Sequence, residues 1–353
     1  MSPTPKTLWI REPYLAQVLA GRKTIEVRVG YGSILRLQPG DLLRLNGTFL
    51  AEVRRVNRYE GFEGLLANEP PAAIAPELPP GELLDALRQI YPHEKEDLGV
   101  VALELAVRRY DAILFDLGYT LVFFEPPQEI IVQEALLAAG DERSVDEIKA
   151  AADVVWGNYH RDAATVTFPA TEQYDRDTQL ALIRDLLTEL GLAGDKRHRQ
   201  AYTESLESRY SKPGTIRPYT EVGEVLTTLR QEGYSLGIVS NWSWNLRDRV
   251  SQVGLEHFFE LVWASAYAGC NKPHPKIFAQ ALDRMQPAGL APERVLYVGD
   301  SYQHDVVGAR NAGLDVVLLD RDGTADDPGC PVVGNLYGLI GLLDAADGSQ
   351  DMH

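Results

Sequence analysis

Four short stretches hold the residue types that chemistry needs: Asp116-Leu117-Gly118-Tyr119-Thr120, Ser240-Asn241, Lys272, and Gly299-Asp300-Ser301 followed by Asp305. Asp116, Asp300 and Asp305 offer hard oxygen donors, which suit Mg²⁺ better than a soft metal. A carboxylate is already ionised at neutral pH, so it can act as a nucleophile without a base to activate it. Lys272 adds a positive charge, and Ser240 adds a hydroxyl beside the Asn241 amide. Taken singly, each stretch says little. Their shared feature is position: each lies at or just after an apolar run that reads as a buried parallel strand, and open α/β sheets hold ligands just beyond the carboxyl ends of their strands.

The elements that must position these residues follow from the apolar pattern. From residue 111 onward, strands are predicted at Ala112–Phe115, Ser235–Val239, Leu261–Ala264, Val295–Val298 and Asp315–Leu319. They alternate with helices at Thr220–Glu232, Leu246–Val253, Pro275–Arg284 and Asp305–Ala312. Such alternation predicts an α/β fold, a doubly wound parallel sheet with helices on both faces. Residues 125–212 have a largely helical pattern and read as a cap inserted after the first strand. The expected layout is a first domain at 1–109, a second at 110–344 and a disordered tail at 345–353.

In this order and spacing the four stretches resemble the haloacid dehalogenase-like superfamily of phosphohydrolases, a resemblance covering residues 110–344. It implies that Asp116 attacks phosphorus and forms an aspartyl-phosphate intermediate. Ser240 and Asn241 would hold the phosphate, and Thr120 would hydrogen-bond near the nucleophile. Lys272 would stabilise the transferring group, where electrostatics dominates phosphoryl transfer. The implied cofactor is Mg²⁺, held by Asp116, the Gly118 carbonyl, Asp300 and Asp305. Asp305 would act directly, through water, or by orienting Lys272.

One position departs from that pattern. The family's phosphatases carry an aspartate two residues after the nucleophile, which protonates the leaving oxygen and later activates water; here it is Gly118. General acid–base catalysis contributes roughly 10²–10⁴-fold, so its loss slows the chemistry without removing the mechanism. Three readings stay open: a substrate that leaves easily, such as an anomeric sugar phosphate or an acyl phosphate; a substitute acid on the cap, with His160 and Asp162 as candidates; or slow turnover. Dehalogenation also needs no acid, but it needs no metal either, and the intact acidic stretch argues for one. Trp242 and Trp244 could stack on a base or sugar face, or plug the joint between core and cap. Trp156, Tyr159 and His160 on the cap carry the same two readings.

The first 109 residues read differently. Strands are predicted at Leu8–Ile10, Thr24–Val29, Leu42–Leu45, Phe49–Val56 and Val100–Val107, and helices at Glu12–Ala20, Phe62–Ala67 and Glu82–Tyr91. Leu8-Trp9-Ile10-Arg11, the stretch from Ala20 to Arg28, Pro39-Gly40-Asp41 and Ile90-Tyr91-Pro92 resemble the ASCH family, a small PUA-like β-barrel associated with RNA. A related small amidohydrolase of acetylated cytidine places its catalytic residues where Lys23, Glu26 and Glu69 stand here, although Glu26 replaces a threonine. The resemblance implies a ligand-, nucleotide- or RNA-binding domain. Arg54, Arg55, Arg58, Arg108 and Arg109 are candidate phosphate contacts.

Composition bounds the partners. Residues 1–109 are balanced, with 14 Lys+Arg against 14 Asp+Glu, while the rest holds 20 against 37 and so the whole net charge of −17. An acidic second half repels long polyanions, which leaves the first domain as the place for any RNA. The two cysteines, Cys270 and Cys330, lack metal spacing, and no apolar run long enough to cross a membrane occurs. A reducing, cytoplasmic setting is expected, with oligomeric state open. The leading expectation is an Mg²⁺-dependent phosphohydrolase of a phosphorylated small molecule, nucleotide or RNA end. The alternative is an RNA-binding protein whose second domain has little or no catalysis.

Overall fold

The computed structural model describes residues 6–47, 49–192, 196–210, 212, 214–285 and 290–348. It divides into two compact units, one built on the residues up to Asp111 and the other on Ala112–Arg230 and Ser235–Leu339.

The first unit is a curled sheet of β1 (Lys6–Leu8), β2 (Ile25–Val29), β3 (Leu42–Leu45), β4 (Phe49–Tyr59) and β5 (Val100–Val107), in the order β1-β3-β4-β5-β2. Alternation along β5 sends Val101, Leu103 and Leu105 into one core and Val100 and Ala102 into another, so both faces are covered. The first core lies under the helix Glu12–Leu19, and the second under Phe62–Asn68 and Leu83–Ile90. β4 runs past the expected Val56 because a bulge between Val53 and Arg55 keeps its pairing with β5 going to Tyr59. β1 ends at Leu8 rather than Ile10, since the Ile10 N–H donates to the Asn46 side chain at 2.6 Å instead of a strand.

The second unit is the predicted α/β fold. Its strands are β6 (Ala112–Phe115), β7 (Val122–Phe124), β8 (Ile216–Pro218), β9 (Ser235–Ser240), β10 (Leu261–Ala264), β11 (Val295–Gly299), β12 (Asp315–Leu319) and β13 (Val332–Val333). Six of them form an all-parallel sheet, β10-β9-β6-β11-β12-β13. β6, β9 and β11 are buried along their whole length, which is why they read as unbroken apolar runs.

Three features differ from the sequence expectation. The segment after β11 is not a helix from Asp305 but a wide π-type turn, Tyr302–Val306, running into the helix Val307–Asn311. The expected tail at 345–353 is helical as far as Gly348, within Leu336–Gly348; residues 349–353 lie outside the described ones. Finally, β7 and β8 form an antiparallel ribbon that the sequence did not reveal. Between these two strands the described residues make four helices, Gln128–Ala138, Val145–His160, Glu172–Glu189 and Lys196–Tyr210. Their small core includes Ala135, Leu136, Ile148, Val155, Leu187 and Tyr202. Ser144 and Glu147 close a reciprocal capping box at the start of the second of these helices. Among the described residues, no helix is long and apolar enough to cross a membrane.

Candidate active site

The carboxyl ends of β6, β9 and β11 meet where the sequence placed the chemistry. Asp116 follows β6 directly, and its N–H donates to the Val298 carbonyl at 2.9 Å, fixing the turn. Lys272 arrives from the far side and is almost wholly buried. Its ammonium donates to Asp116 Oδ1 at 2.6 Å, Asp305 Oδ1 at 2.6 Å and Tyr297 Oη at 2.9 Å. These three bonds use its full donor set. Tyr297 in turn donates to the Val239 carbonyl at 2.7 Å, tying the cluster to two strands.

Each expected residue has a definite place. Ser240 hydrogen-bonds the Asp116 carboxylate. Thr120 donates to Asp300 Oδ1 at 2.8 Å, so it positions an acidic group other than Asp116. The Asn241 side chain accepts from the Lys272 N–H at 2.7 Å and donates to the Lys272 carbonyl at 3.1 Å, which leaves its backbone N–H as the group expected to meet a phosphate. Asn241 therefore holds the lysine's backbone. Asp305 accepts at both oxygens, from Lys272 on Oδ1 and from the Ser301 N–H on Oδ2 at 2.9 Å. Of the three roles weighed for it, orienting Lys272 is the one visible in its hydrogen bonds. Gly299 is required by this arrangement, because a Cβ there would lie 2.3 Å from Asp305 Cγ.

The charge balance is uneven. Ligand oxygens of Asp116, Asp300 and Asp305 lie within 4.8 Å of one another, with the Lys272 ammonium bonded to two of the three. Burial raises the Asp116 carboxyl above its usual range against the pull of Lys272. Burial, then Asp116 and Asp305, push Asp300 up to about 7. Although burial works against the Lys272 ammonium, Asp116 and Asp305 hold its pKa above the ordinary lysine value. All-oxygen donors carrying more negative charge than one lysine offsets are what a hard divalent cation requires, and the residues present fit Mg²⁺.

Two contributors were not expected from sequence. Tyr297 sits in an otherwise aliphatic strand, and a buried phenol must find partners, which was a usable signal. Arg321 donates to the Thr120 carbonyl at 2.8 Å and to Glu221 at 2.7 Å, with its guanidinium 3.5 Å from the Tyr219 ring centroid. It braces the loop after Asp116, and nothing in its local sequence announces that.

The inserted helices approach this end of the sheet. The Trp244 N–H donates to Asp175 at 2.9 Å, and the Phe168 N–H donates to the Gly269 carbonyl at 2.8 Å. The His160 ring lies 4.7 Å from that of His304 and stacks on Trp156 at 5.9 Å. Burial, then His304 and Lys272, lower His160 to about 4, so it is neutral at physiological pH. Asp162 is exposed to solvent. Trp244 packs edge-on against Tyr267 at the joint between inserted helices and core.

In the first unit the three candidate residues part company. Lys23 and Glu26 are buried together at 3.2 Å in an open cleft of about 610 Å³, mouth included, which Trp9, Tyr14, Arg28 and Tyr91 also line. Lys23 also donates to the Ile25 and Ile74 carbonyls, both at 2.7 Å. Glu69 is not among the cleft residues. Its carboxylate accepts from both Arg55 terminal nitrogens at 2.9 Å, from Asn57 at 2.7 Å and from Tyr59 at 2.7 Å. Arg55 is thereby held internally, Arg54 pairs with Glu52, and Arg108 with Glu232.

Family comparison agrees with this architecture. A model described as haloacid dehalogenase-like hydrolase matches residues 169–319, and one described as ASCH domain matches 8–108. The phosphoserine phosphatase of Thermus thermophilus is 31% identical over 237 residues, covering 61% of this chain and 91% of that protein. The chain is a haloacid dehalogenase-like hydrolase. The glyceraldehyde 3-phosphate phosphatase of Methanopyrus kandleri is 29% identical over 211 residues, 60% of this hydrolase and 84% of that one. A namesake from Methanothermobacter thermautotrophicus is 35% identical, over 30% of this chain and 46% of its own length. Among solved structures, the Bacillus subtilis HAD-hydrolase YfnB bound to magnesium aligns over 67% of the hydrolase and 100% of its own chain, with TM-score 0.53 and 23% identity. The L-2-haloacid dehalogenase RSc1362 aligns over 67% and 99%, with TM-score 0.50 and 19% identity. One fold thus serves both chemistries, so the choice between them rests on the site.

Proposed function

We propose that the second unit is an Mg²⁺-dependent phosphohydrolase acting through an aspartyl-phosphate intermediate on a phosphorylated small molecule, nucleotide or RNA end. The observation that carries this reading is the cluster of three carboxylates at the strand ends, two of them bonded to one buried lysine. A dehalogenase has no use for that excess of negative charge. The phosphatase names of the Thermus and Methanopyrus relatives support the same choice. Asp116 is the nucleophile, freed of its ion pair as a phosphate enters and competes for Lys272. Lys272, held in place by Asn241, Asp305 and Tyr297, stays protonated and meets the charge of the transferring group. Asp116, the Gly118 carbonyl and Asp300, with Asp305 behind them, would hold Mg²⁺, which supplies charge neutralisation between nucleophile and phosphate. The test is phosphate release from a panel of phosphate esters with and without Mg²⁺. Release should fall by at least about 10⁴-fold in Asp116→Asn, and a panel with no turnover at high enzyme concentration removes the reading.

For the first unit we infer that the Lys23–Glu26 cleft takes a nucleotide-like ligand. The supporting features are its aromatic lining and a buried ion pair at hand. With Arg54, Arg55 and Arg108 paired to carboxylates, a short ligand suits the unit better than a long RNA. Titration of Trp9 fluorescence with nucleotides and with single-stranded RNA checks this. Tight, salt-sensitive RNA binding without phosphate release would select the alternative, an RNA-binding protein with weak catalysis that Gly118 favours.

A further inference from the structure

Where the family's phosphatases carry an acid this chain has Gly118, and an aromatic ring stands against it. At Gly118 a Cβ would meet only Trp242 Cζ3, at 3.5 Å. Gly118 lies two residues after Asp116, and Trp242 two residues after Ser240, which itself bonds Asp116. The Trp242 ring lies parallel to Phe124, 6.2 Å away and 8° from coplanar, and Phe124 leads on to the half-exposed Tyr119 at 5.7 Å. The side chains bonded to Asp116 are Lys272 and Ser240. All three Lys272 donors are engaged, and a lysine so paired with carboxylates gives up a proton poorly.

We propose that this hydrolase acts on phosphate monoesters whose leaving group is an aromatic alcohol, a phenol-type oxygen on a planar ring that packs against Trp242. The inference rests on the phosphohydrolase reading above and narrows its substrate class. An alkyl alkoxide needs a proton as it departs, whereas a phenolate is stable enough to leave without one. In the first step an Asp116 oxygen bonds to phosphorus while the bond from phosphorus to the ester oxygen breaks, its electron pair leaving on the phenolate. In the second, water displaces the carboxylate from phosphorus, returning Asp116 and dihydrogen phosphate. Neither step draws a proton from the protein. Planar rings gain from offset stacking on an indole face, which an acyl or sugar phosphate does not exploit.

The experiment is a set of initial rates with Mg²⁺ for ring-substituted phenyl phosphates, acetyl phosphate and glycerol phosphate. The wild type should speed up steeply as the leaving phenol becomes more acidic, and glycerol phosphate should lag phenyl phosphate by about 10²–10⁴-fold. Gly118→Asp should accelerate glycerol phosphate by a similar factor and flatten the dependence on phenol acidity, since an aspartate fits the space. Trp242→Phe and Trp242→Ala should raise KM for phenyl phosphates several-fold more than KM for acetyl phosphate. Glycerol phosphate turned over within tenfold of phenyl phosphate by the wild type overturns this inference and leaves the phosphohydrolase reading intact. A flat dependence that steepens in His160→Asn would place the proton on the cap histidine, and also overturns it. No release from any ester removes both readings.

Discussion

Glu69 in the first unit is a buried carboxylate and Asp300 in the second a partly buried one, and the two titrate in opposite directions. Glu69 meets a bidentate arginine, an amide and a phenol, and these partners hold it below the ordinary glutamate range although burial works the other way. Asp300 shares its pocket with Asp116 and Asp305, and it accepts a hydrogen bond from the Thr120 hydroxyl. Burial and those neighbours carry it up to about 7. A charge whose partners are all internal is a structural joint. A charge left over after every internal partner is counted belongs to a site that takes a cation.

The sharpest way to break this contrast is Lys272→Met, which removes the cation bonded to Asp116 and Asp305. Uncompensated buried charge costs about 3–5 kcal/mol, to be read from denaturant unfolding. A loss under about 1 kcal/mol would mean the carboxylates are protonated already, and the contrast would vanish. Next comes the ion itself: Mg²⁺ at a hundred times its Kd should add about 2.7 kcal/mol, or roughly 5–10 °C in Tm. Chelation should reverse the gain, and Asp300→Asn should abolish it. Because Asp300 binds a proton below about 7, the gain should be larger at pH 8 than at pH 5. Glu69→Gln should cost less, near the low end of about 1–3 kcal/mol, since the Arg55 side chain it leaves behind is 43% exposed. Mg²⁺ should neither rescue nor worsen that variant.

The smallest effect lies at the cap. His160 is lowered from 6.5 to about 4, so the fold prefers its neutral form. Its contribution to stability is complete above pH 6.5 and is lost as pH falls toward 4. His160→Asn should flatten the stability profile in that window and change nothing above it. An unchanged acid slope would show that His160 is more open to water than its contacts with Trp156 and His304 imply.

What could be read from sequence follows the same division. β6, β9 and β11 were legible because a parallel strand buried on both faces must be apolar throughout. The four stretches were legible because they stand at or near the ends of such strands. Glu69 was misleading: resemblance suggested a substrate contact. Yet Arg55, Asn57 and Tyr59 recur at every second residue of β4, placing three donors on one face, a pattern visible in advance. The π-type turn at Tyr302–Val306 was hidden because one wide turn shifts no apolar residue off its face. β7 and β8 have three residues each, too few for alternation to register. The bonds of the Asn241 side-chain amide to the Lys272 backbone were hidden because the two residues lie far apart in sequence.

The β7–β8 ribbon has a consequence of another kind. The Glu125 N–H donates to the Thr215 carbonyl at 2.8 Å, so the chain leaves for the four inserted helices and returns from them at almost one point. To the parallel sheet, everything between those residues is a single closed loop, and the cost of closing a loop grows only slowly with its length. The insert is thus a cassette with a fixed socket. It can be lengthened, exchanged or replaced by a short turn at little cost in loop closure, while the strands that carry Asp116 and Asp300 stay paired as they are.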